Sequence, residues 1–183
     1  MAKTVSLVFE LNRLPTPIGT ALIATDSDGR LRVFDWETHA DRMQRGLDRL
    51  YGRGKLRLVE PKRASAEARA VLDCLEAYFA GDIAAIEAIP VESAGTQFQR
   101  ACWAALRKIP AGETWSYGRL ARRVGRPDAV RAAGAANGLN PISVVVPCHR
   151  VIGADGSLTG YGGGLDRKRW LLRHEGVLLR DAA

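Results

Sequence analysis

Between Ile142 and Gly153 the chain reads ISVVVPCHRVIG. The β-branched residues of its first half make an apolar, strand-like run. Pro147 ends that run, because it has no backbone N–H to give to a ladder. Cys148 and His149 then stand side by side where the strand stops. A free thiol titrates near ~8.5, so only a few per cent is thiolate at neutral pH. A nucleophilic cysteine needs a neighbouring base or positive charge, and His149 is the candidate. Adjacent residues of an extended strand point to opposite faces. A direct or water-bridged contact between the two therefore needs a turn after Pro147. The ring also needs a partner on its other nitrogen, which a carboxylate from elsewhere in the chain would supply.

The rest of the composition limits where such chemistry sits. A chain of 183 residues suffices for one large domain or two small ones, and its 46% hydrophobic content is that of a globular protein. No apolar run reaches membrane-spanning length, and MAKTVSLVFELNRL lacks the apolar region and cleavage site of a signal peptide. The expectation is a cytoplasmic protein with no membrane association. The three cysteines, at positions 74, 102 and 148, form no CxxC pair, and the odd count suits a reducing compartment. His39, His149 and His174 make no metal-ligand spacing with them. No metal is expected. The net charge of +7 favours anionic partners, nucleic acid being the commonest, or else serves solubility alone.

The first half reads as α/β. KTVSLVFEL, TALIATD and RLRVFDW are short strand-like runs, and DSDG (Asp26 to Gly29) turns the last two into a hairpin. THADRMQRGLDRLYG is an amphipathic helix closed by Gly52, followed by the basic segment RGKLRLVEPKR. ASAEARAVLDCLEAYFAG is a second helix, with Val71, Leu72, Leu75, Tyr78 and Phe79 at helical spacing and Cys74 beside them. DIAAIEAIPVESAG reads as a connector, so a domain boundary is expected there, giving 1–92 and 93–183.

Beyond it, TQFQRACWAALRKI places Phe98, Ala101, Cys102, Ala105, Leu106 and Ile109 on one helical face, which makes Cys102 a packing residue. A short helix from about Tyr117 stops at GRPD. A second starts near Ala129, with Asp128 as N-cap and Gly138 and Pro141 at its exit. This is a helix-turn-helix pattern for DNA, or an ordinary helical hairpin. The centre of the second helix, RAAGAA, is Arg131 followed by five very small residues. Few long side chains are left to read base edges in a major groove. A smooth helix with one projecting arginine suits the minor groove or the base stack, though small residues serve tight helix packing equally well.

After the Cys–His pair comes TGYGGG, a loop in which glycines allow close backbone approach to a flat ligand and which is not a P-loop. LDRKRWLLRHEG is a helix ending at Gly176, with Glu175 at its C-terminal end, where the helix dipole disfavours a carboxylate. Either a tertiary partner holds Glu175 or it is solvated. A cysteine protease would also use a Cys–His pair, but nothing in the charge or the helix pattern points to a peptide substrate.

Four stretches together carry a resemblance. NPISVVVPCHRVIG, FQRACWAALRKIPAGETWSYGRLA, RAAGAANGLNP and GSLTGYGGGLDRKRWLLRHEG cover essentially all of 96–178 and resemble the O6-alkylguanine-DNA alkyltransferases. TPIGTALIATDSDGRLRVFDW is similar to the family's less distinctive N-terminal part. The resemblance, closest to the stand-alone bacterial form, implies an α/β N-terminal domain with an RNase H-like sheet plus helices. A mainly α C-terminal domain with a winged-helix-like helix-turn-helix would follow. It implies direct-reversal DNA repair: irreversible, single-turnover transfer of the alkyl group from O6-alkylguanine, and less efficiently O4-alkylthymine, to Cys148. No cofactor is implied, and the partner is double-stranded DNA containing alkylated bases, entered from the minor groove by a monomer.

By the same resemblance the catalytic set is Cys148, His149 acting through a water, Glu175 polarising His149, and Asn140 fixing the turn. The DNA-binding set is Tyr117, Gly118, Arg126, Arg131, Ala132 and Ala135. Tyr117 would press on the target phosphate, and Arg131 would fill the gap left by the extruded base. The substrate pocket is Val151, Tyr161 and Gly162. Gly138 and Gly162 stand where some relatives carry Arg or Ser. A sister group of non-catalytic lesion binders lacks the cysteine; such a binder is the alternative reading, and Cys148 argues against it.

Overall fold

Three of the strand-like runs pair as an antiparallel meander in the computed structural model, which describes residues 7–179. They are β1 (Leu7–Leu14), β2 (Ala21–Thr25) and β3 (Leu31–Trp36). The first run was expected from Lys3; residues 3–6 lie outside the described residues, and the strand extends to Leu14. The β2–β3 turn forms where DSDG predicts it. The Asp26 carboxylate accepts from the backbone N–H of Asp28 and Arg30, and Gly29 takes φ +74°.

A fourth strand, β4 (Leu56–Val59), lies parallel to β1, so the sheet is mixed, in the order β3-β2-β1-β4. By residue type alone this segment is only a basic stretch. Its two half-buried leucines alternate with exposed Arg57 and Val59 over only four residues, too few for a period to declare itself. Helix α1 (Ala40–Tyr51) carries the chain from one edge of the sheet to the other. It buries Met43 and Leu47 against Phe9, Leu11, Leu22, Ala24 and Val33. Helix α2 (Ala66–Phe79), capped by the Ser65 hydroxyl, buries Val71, Leu72, Leu75 and Tyr78.

The expected connector is not a free linker. Ile83–Ala88 is a 3-10 turn that buries Ile86, and Ile89 is buried beyond it. Pro90 and Glu92 then satisfy the backbone of Leu31 on β3. Two buried isoleucines and an edge strand with free backbone groups are the reason.

The chain divides into two compact units, Met1–Ala94 and Gly95–Ala183. The second unit opens with α3 (Gln97–Leu106), which has a Thr96/Gln99 capping box. Cys102, Leu106 and Ile109 are buried as expected; Trp103 joins them, and Ala101 faces outward instead. The Trp103 indole N–H donates to the Ala136 carbonyl at 2.8 Å, which satisfies its one polar atom on the buried face. Next come β5 (Trp115–Ser116), α4 (Tyr117–Arg123), α5 (Val130–Gly138), β6 (Val151–Ile152) and α6 (Leu165–His174). Asp128 does not cap α5. Ala129 holds that position without a side-chain bond, because a turn from Arg126 carries the chain one residue further.

The run Ile142–Val146 is not a strand. It folds into tight turns with a lone bridge at Ile142, and the strand pairing falls at Val151–Ile152, parallel to Trp115–Ser116. Among the described residues no helix is long and apolar enough to cross a membrane. Nor does any group of three or more His, Cys, Asp and Glu there have metal-holding geometry.

Candidate active site

The turns before Cys148 are organised by one side chain. The Asn140 amide donates to the carbonyls of Val146 at 2.8 Å and Ile142 at 3.3 Å, and its oxygen accepts the Ile142 N–H at 3.0 Å. Val145 and Val146 close back on Ser143 and Ile142. Val144 is forced to φ +68°, the one non-glycine residue in the left-handed region among those described. For a β-branched side chain this is strained, on the order of 1–3 kcal/mol. Burial of Ile142, Val144, Val145 and Val146 holds it there.

Past Pro147 the backbone makes a single 3-10 turn, Cys148–Arg150. This is the turn the Cys–His pair requires. Cys148, His149 and Arg150 are all buried. The Asn137 amide also donates to the Cys148 carbonyl at 3.3 Å, tying α5 to the nucleophile's backbone.

Glu175 is the C-cap of α6, and the chain leaves through Gly176 at φ +84°. The Gly176 and Val177 N–H groups bond back to Arg173 and Leu172, as in a Schellman ending, so the Glu175 backbone is fixed. Its carboxylate is fully buried and shared. His149 Nε2 lies 2.9 Å from Oε1; Arg150 meets Oε2 through Nε at 2.7 Å and Oε1 through Nη2 at 2.9 Å. Arg150 also donates to the Ile109 carbonyl.

Burial alone would raise the Glu175 pKa, but His149 and Arg150 outweigh it and hold the carboxyl well below the usual carboxylate range. Burial pushes the His149 pKa down, against the pull of Glu175. Arg150 already balances the Glu175 charge, so the imidazole stays neutral. An ionised carboxylate only accepts, which places the ring proton on Nε2 and the lone pair on Nδ1. Nδ1 is buried and has no hydrogen-bond partner among the described residues. It is the basic atom the site offers.

Lys168 completes the surroundings. It is fully buried on α6, and its ammonium donates to the carbonyls of Val151 at 2.7 Å, Thr159 at 2.8 Å and Gly160 at 3.3 Å. The glycine-rich loop carrying half-buried Tyr161 and Gly162 is thereby pinned to β6. Burial lowers the Lys168 pKa to about 8, with the Cys148 sulfur acting in the opposite direction.

On the other side, β5 pairs Trp115 with Val151 and delivers Tyr117 directly after it. The Tyr117 hydroxyl accepts from Thr159 at 3.2 Å, and its ring sits beside Gly134 of α5, where a Cβ would lie 3.4 Å away. Arg131, Ala132 and Ala135 share the exposed face of α5, opposite buried Ala133, Ala136 and Asn137. Arg126 is exposed in the turn before it, and Gly118 is half-buried in α4.

Thus His149, Arg150 and Glu175 form one buried hydrogen-bonded network directly after buried Cys148, half-buried Asn140 shapes the turn before Cys148, and the loop of Tyr161 and Gly162 meets Val151 through Lys168. Sequence reading gave no role to Arg150, Lys168 or Asn137. Arg150 stands beside the candidate base. Lys168 falls at an apolar-stripe position with Leu171 and Leu172, an unusual place for a lysine. Asn137 carried no local signal.

A buried thiol next in sequence to a buried histidine, itself held by a carboxylate–arginine pair, is the arrangement of a cysteine-centred site, in a unit with an exposed two-helix face. The family model for the 6-O-methylguanine DNA methyltransferase DNA-binding domain matches residues 97–177. A methylated-DNA–protein-cysteine methyltransferase of Salmonella typhimurium is 49% identical over 91% of this chain and 95% of its own. One from Mycolicibacterium paratuberculosis is 52% identical over 72% of this chain and 77% of its own. Among solved structures, Mycobacterium tuberculosis OGT in complex with DNA is similar, with a TM-score of 0.72, 39% identity and coverage of 91% of this chain and 92% of that one. The chain belongs to the methylated-DNA–protein-cysteine methyltransferase family.

Proposed function

We propose that this protein repairs alkylated DNA by direct reversal, moving the alkyl group of O6-alkylguanine, and less efficiently O4-alkylthymine, to Sγ of Cys148. The observation that carries the assignment to Cys148 is the buried His149–Glu175–Arg150 relay that begins at the next residue. His149 Nδ1, through a water, takes the thiol proton, and Glu175 stabilises the imidazolium that forms. The thiolate attacks the alkyl carbon. An S–C bond forms, the C–O6 bond breaks, and its electron pair returns to the guanine, which recovers a proton and its normal pairing face. The thioether product has no easy route back, so each molecule acts once.

An alkyl group at O6 of a stacked guanine cannot be reached in line, so the nucleotide must leave the duplex, which costs a few kcal/mol. Tyr117 presses on its phosphate and Arg131 takes its place in the stack. The smooth Ala132–Ala135 face of α5 enters the minor groove, and Gly118 and Arg126 lie against the backbone. Val151, Tyr161 and Gly162 line the pocket. Asn140 holds the turn that presents Cys148. In this reading 1–92 is an RNase H-like domain without a part in the chemistry. Residues 93–183 are the winged-helix-like DNA-binding and acceptor domain, and the protein works in the cytoplasm as a monomer.

The test is intact-protein mass after incubation with a duplex carrying one O6-methylguanine, followed by peptide mapping. One methyl on the Cys148 peptide, saturating at one per protein and absent in Cys148→Ala, is the expected result. Unchanged mass in a folded protein that still binds the lesion would make it a recognition protein instead.

A further inference from the structure

Helix α4 and the turn after it carry a feature that the transfer chemistry does not use. Arg119, Arg122, Arg123 and Arg126 are four arginines within eight residues, all exposed. None forms an ion pair with a carboxylate among the described residues. Such a cluster repels itself and is relieved by a polyanion.

Two of the four are also fixed in place. Arg119 and Arg123, one turn apart, have guanidinium carbons 4.7 and 5.3 Å from the Trp115 ring centroid. Trp115 is 2% exposed and locked by its pairing with Val151 in the two-stranded sheet. The ring therefore holds one face of each guanidinium, while the N–H edges of these exposed side chains stay open to solvent. Immobilising a long side chain on binding costs roughly 0.5–1.5 kcal/mol, and stacking removes part of that cost in advance. A merely solvating face has no need of such fixation. The planar guanidinium suits phosphate oxygens, and the i, i+4 spacing sets the two heads on one helix face, about 6 Å apart along the axis. The same helix begins at Tyr117.

We infer that Arg119 and Arg123, held on the face of Trp115, grip backbone phosphates of the duplex beside the target nucleotide, a sequence-independent contact additional to Tyr117 and Arg131. This rests on the reading of the protein as a DNA alkyltransferase. The occupant is the duplex backbone, and the contact supplies affinity and register but no base preference.

Salt dependence tests it. Binding of a fluorescein-labelled unmodified duplex, and of the same duplex with one O6-methylguanine, is titrated by anisotropy between about 50 and 200 mM KCl. The proteins are the parent, Arg119→Gln/Arg123→Gln, and Arg45→Gln/Arg49→Gln, an exposed i, i+4 pair on α1 with the same charge change. The α4 double variant is expected to lower the slope of log K against log salt by about 1.8, roughly 0.9 per phosphate. Both duplexes lose affinity by the same factor, and the α1 control keeps the parent slope. Arg119→Lys/Arg123→Lys is expected to restore the slope, because charge is kept, but with weaker binding than the parent. If the double variant does not fold, as judged by thermal melting, each single Gln variant is expected to lower the slope by about 0.9. An unchanged slope, an equal drop in the α1 control, or a loss confined to the lesion duplex overturns the inference. Failure of the parent to take a methyl group from the lesion duplex overturns the underlying reading instead, whatever the slopes.

Discussion

His149 Nε2 lies 2.9 Å from Oε1 of Glu175, and both side chains are fully buried. The carboxylate sits at a helix C-terminus, where the dipole opposes it. Arg150 makes that location tolerable by clasping both oxygens. The result is an oriented neutral imidazole with its lone pair on Nδ1 and a counter-charge waiting for the imidazolium.

Glu175→Gln keeps an acceptor for the Nε2 proton but removes that counter-charge. Single-turnover transfer is expected to slow roughly 100-fold or more, while duplex affinity stays near the parent's. Arg150 loses its buried partner as well, so stability falls by about 3–5 kcal/mol in denaturant titration. Parent-like transfer rates would take Glu175 out of the mechanism.

Acid should switch off both transfer and stability. The folded His149 pKa lies below the ordinary 6.5. As pH falls below 6.5, the unfolded chain takes up that proton first, so it binds more protons than the folded one and stability declines. The depressed Glu175 pKa acts in the same direction below its ordinary 4.5. The transfer rate is expected to drop through a midpoint below 6.5, measured by quenched-flow across a pH series. A midpoint above 6.5 would contradict a buried, neutral His149.

Asn140 gives two donor contacts and one acceptor contact to the turn before Cys148. Asn140→Ala leaves buried backbone groups unpaired, with a loss of about 2–4 kcal/mol. Asn140→Asp, despite its matching shape, replaces the donating amide by an oxygen facing two carbonyls, and is expected to melt no higher than the alanine variant. A nearly parental Asp variant would show that shape rather than donation holds the turn.

Lys168→Met removes the donor shared by Val151, Thr159 and Gly160. Backbone hydrogen exchange across 157–164 is expected to accelerate, and transfer to slow roughly tenfold from loss of pocket positioning. The pH signature is specific. Folded Lys168 releases its proton at about 8, below the ordinary 10.5 of a lysine in water. Between those values the unfolded parent binds more protons, so the parent should gain stability relative to Lys168→Met as pH rises from 8 to 10. Parallel stability curves would show that Lys168 is not a buried cation.

Much of the framework was legible in the residues. The Asp26–Gly29 hairpin follows from turn chemistry, and α1, α2 and α3 follow from apolar stripes of three or four turns. Cys148 with His149 asked for a partner from elsewhere and Glu175 was out of place at its helix end, but only the family resemblance joined the two. Short elements were less legible. β4 spans four residues and acquires its identity only by pairing with β1. The connector at 82–95 packs because β3 presents an open edge.

The segment around the nucleophile marks the division most clearly. Composition set the chemistry: a thiol, a base and a distant acid, with enough apolar surface to bury them. Propensity then predicted a strand over Ile142–Val146, and the fold overrode it. Three hydrogen bonds from Asn140 and the burial of four apolar side chains bend the run into turns, with Val144 at φ +68°. β-Propensity is a preference of about 1 kcal/mol or less per residue, smaller than the packing and hydrogen bonding ranged against it. Arg150 and Lys168 likewise acquire roles only from carboxylate and carbonyl oxygens brought to them from elsewhere in the chain. Residue types are local properties, whereas the partner of a buried charge is a property of the folded neighbourhood.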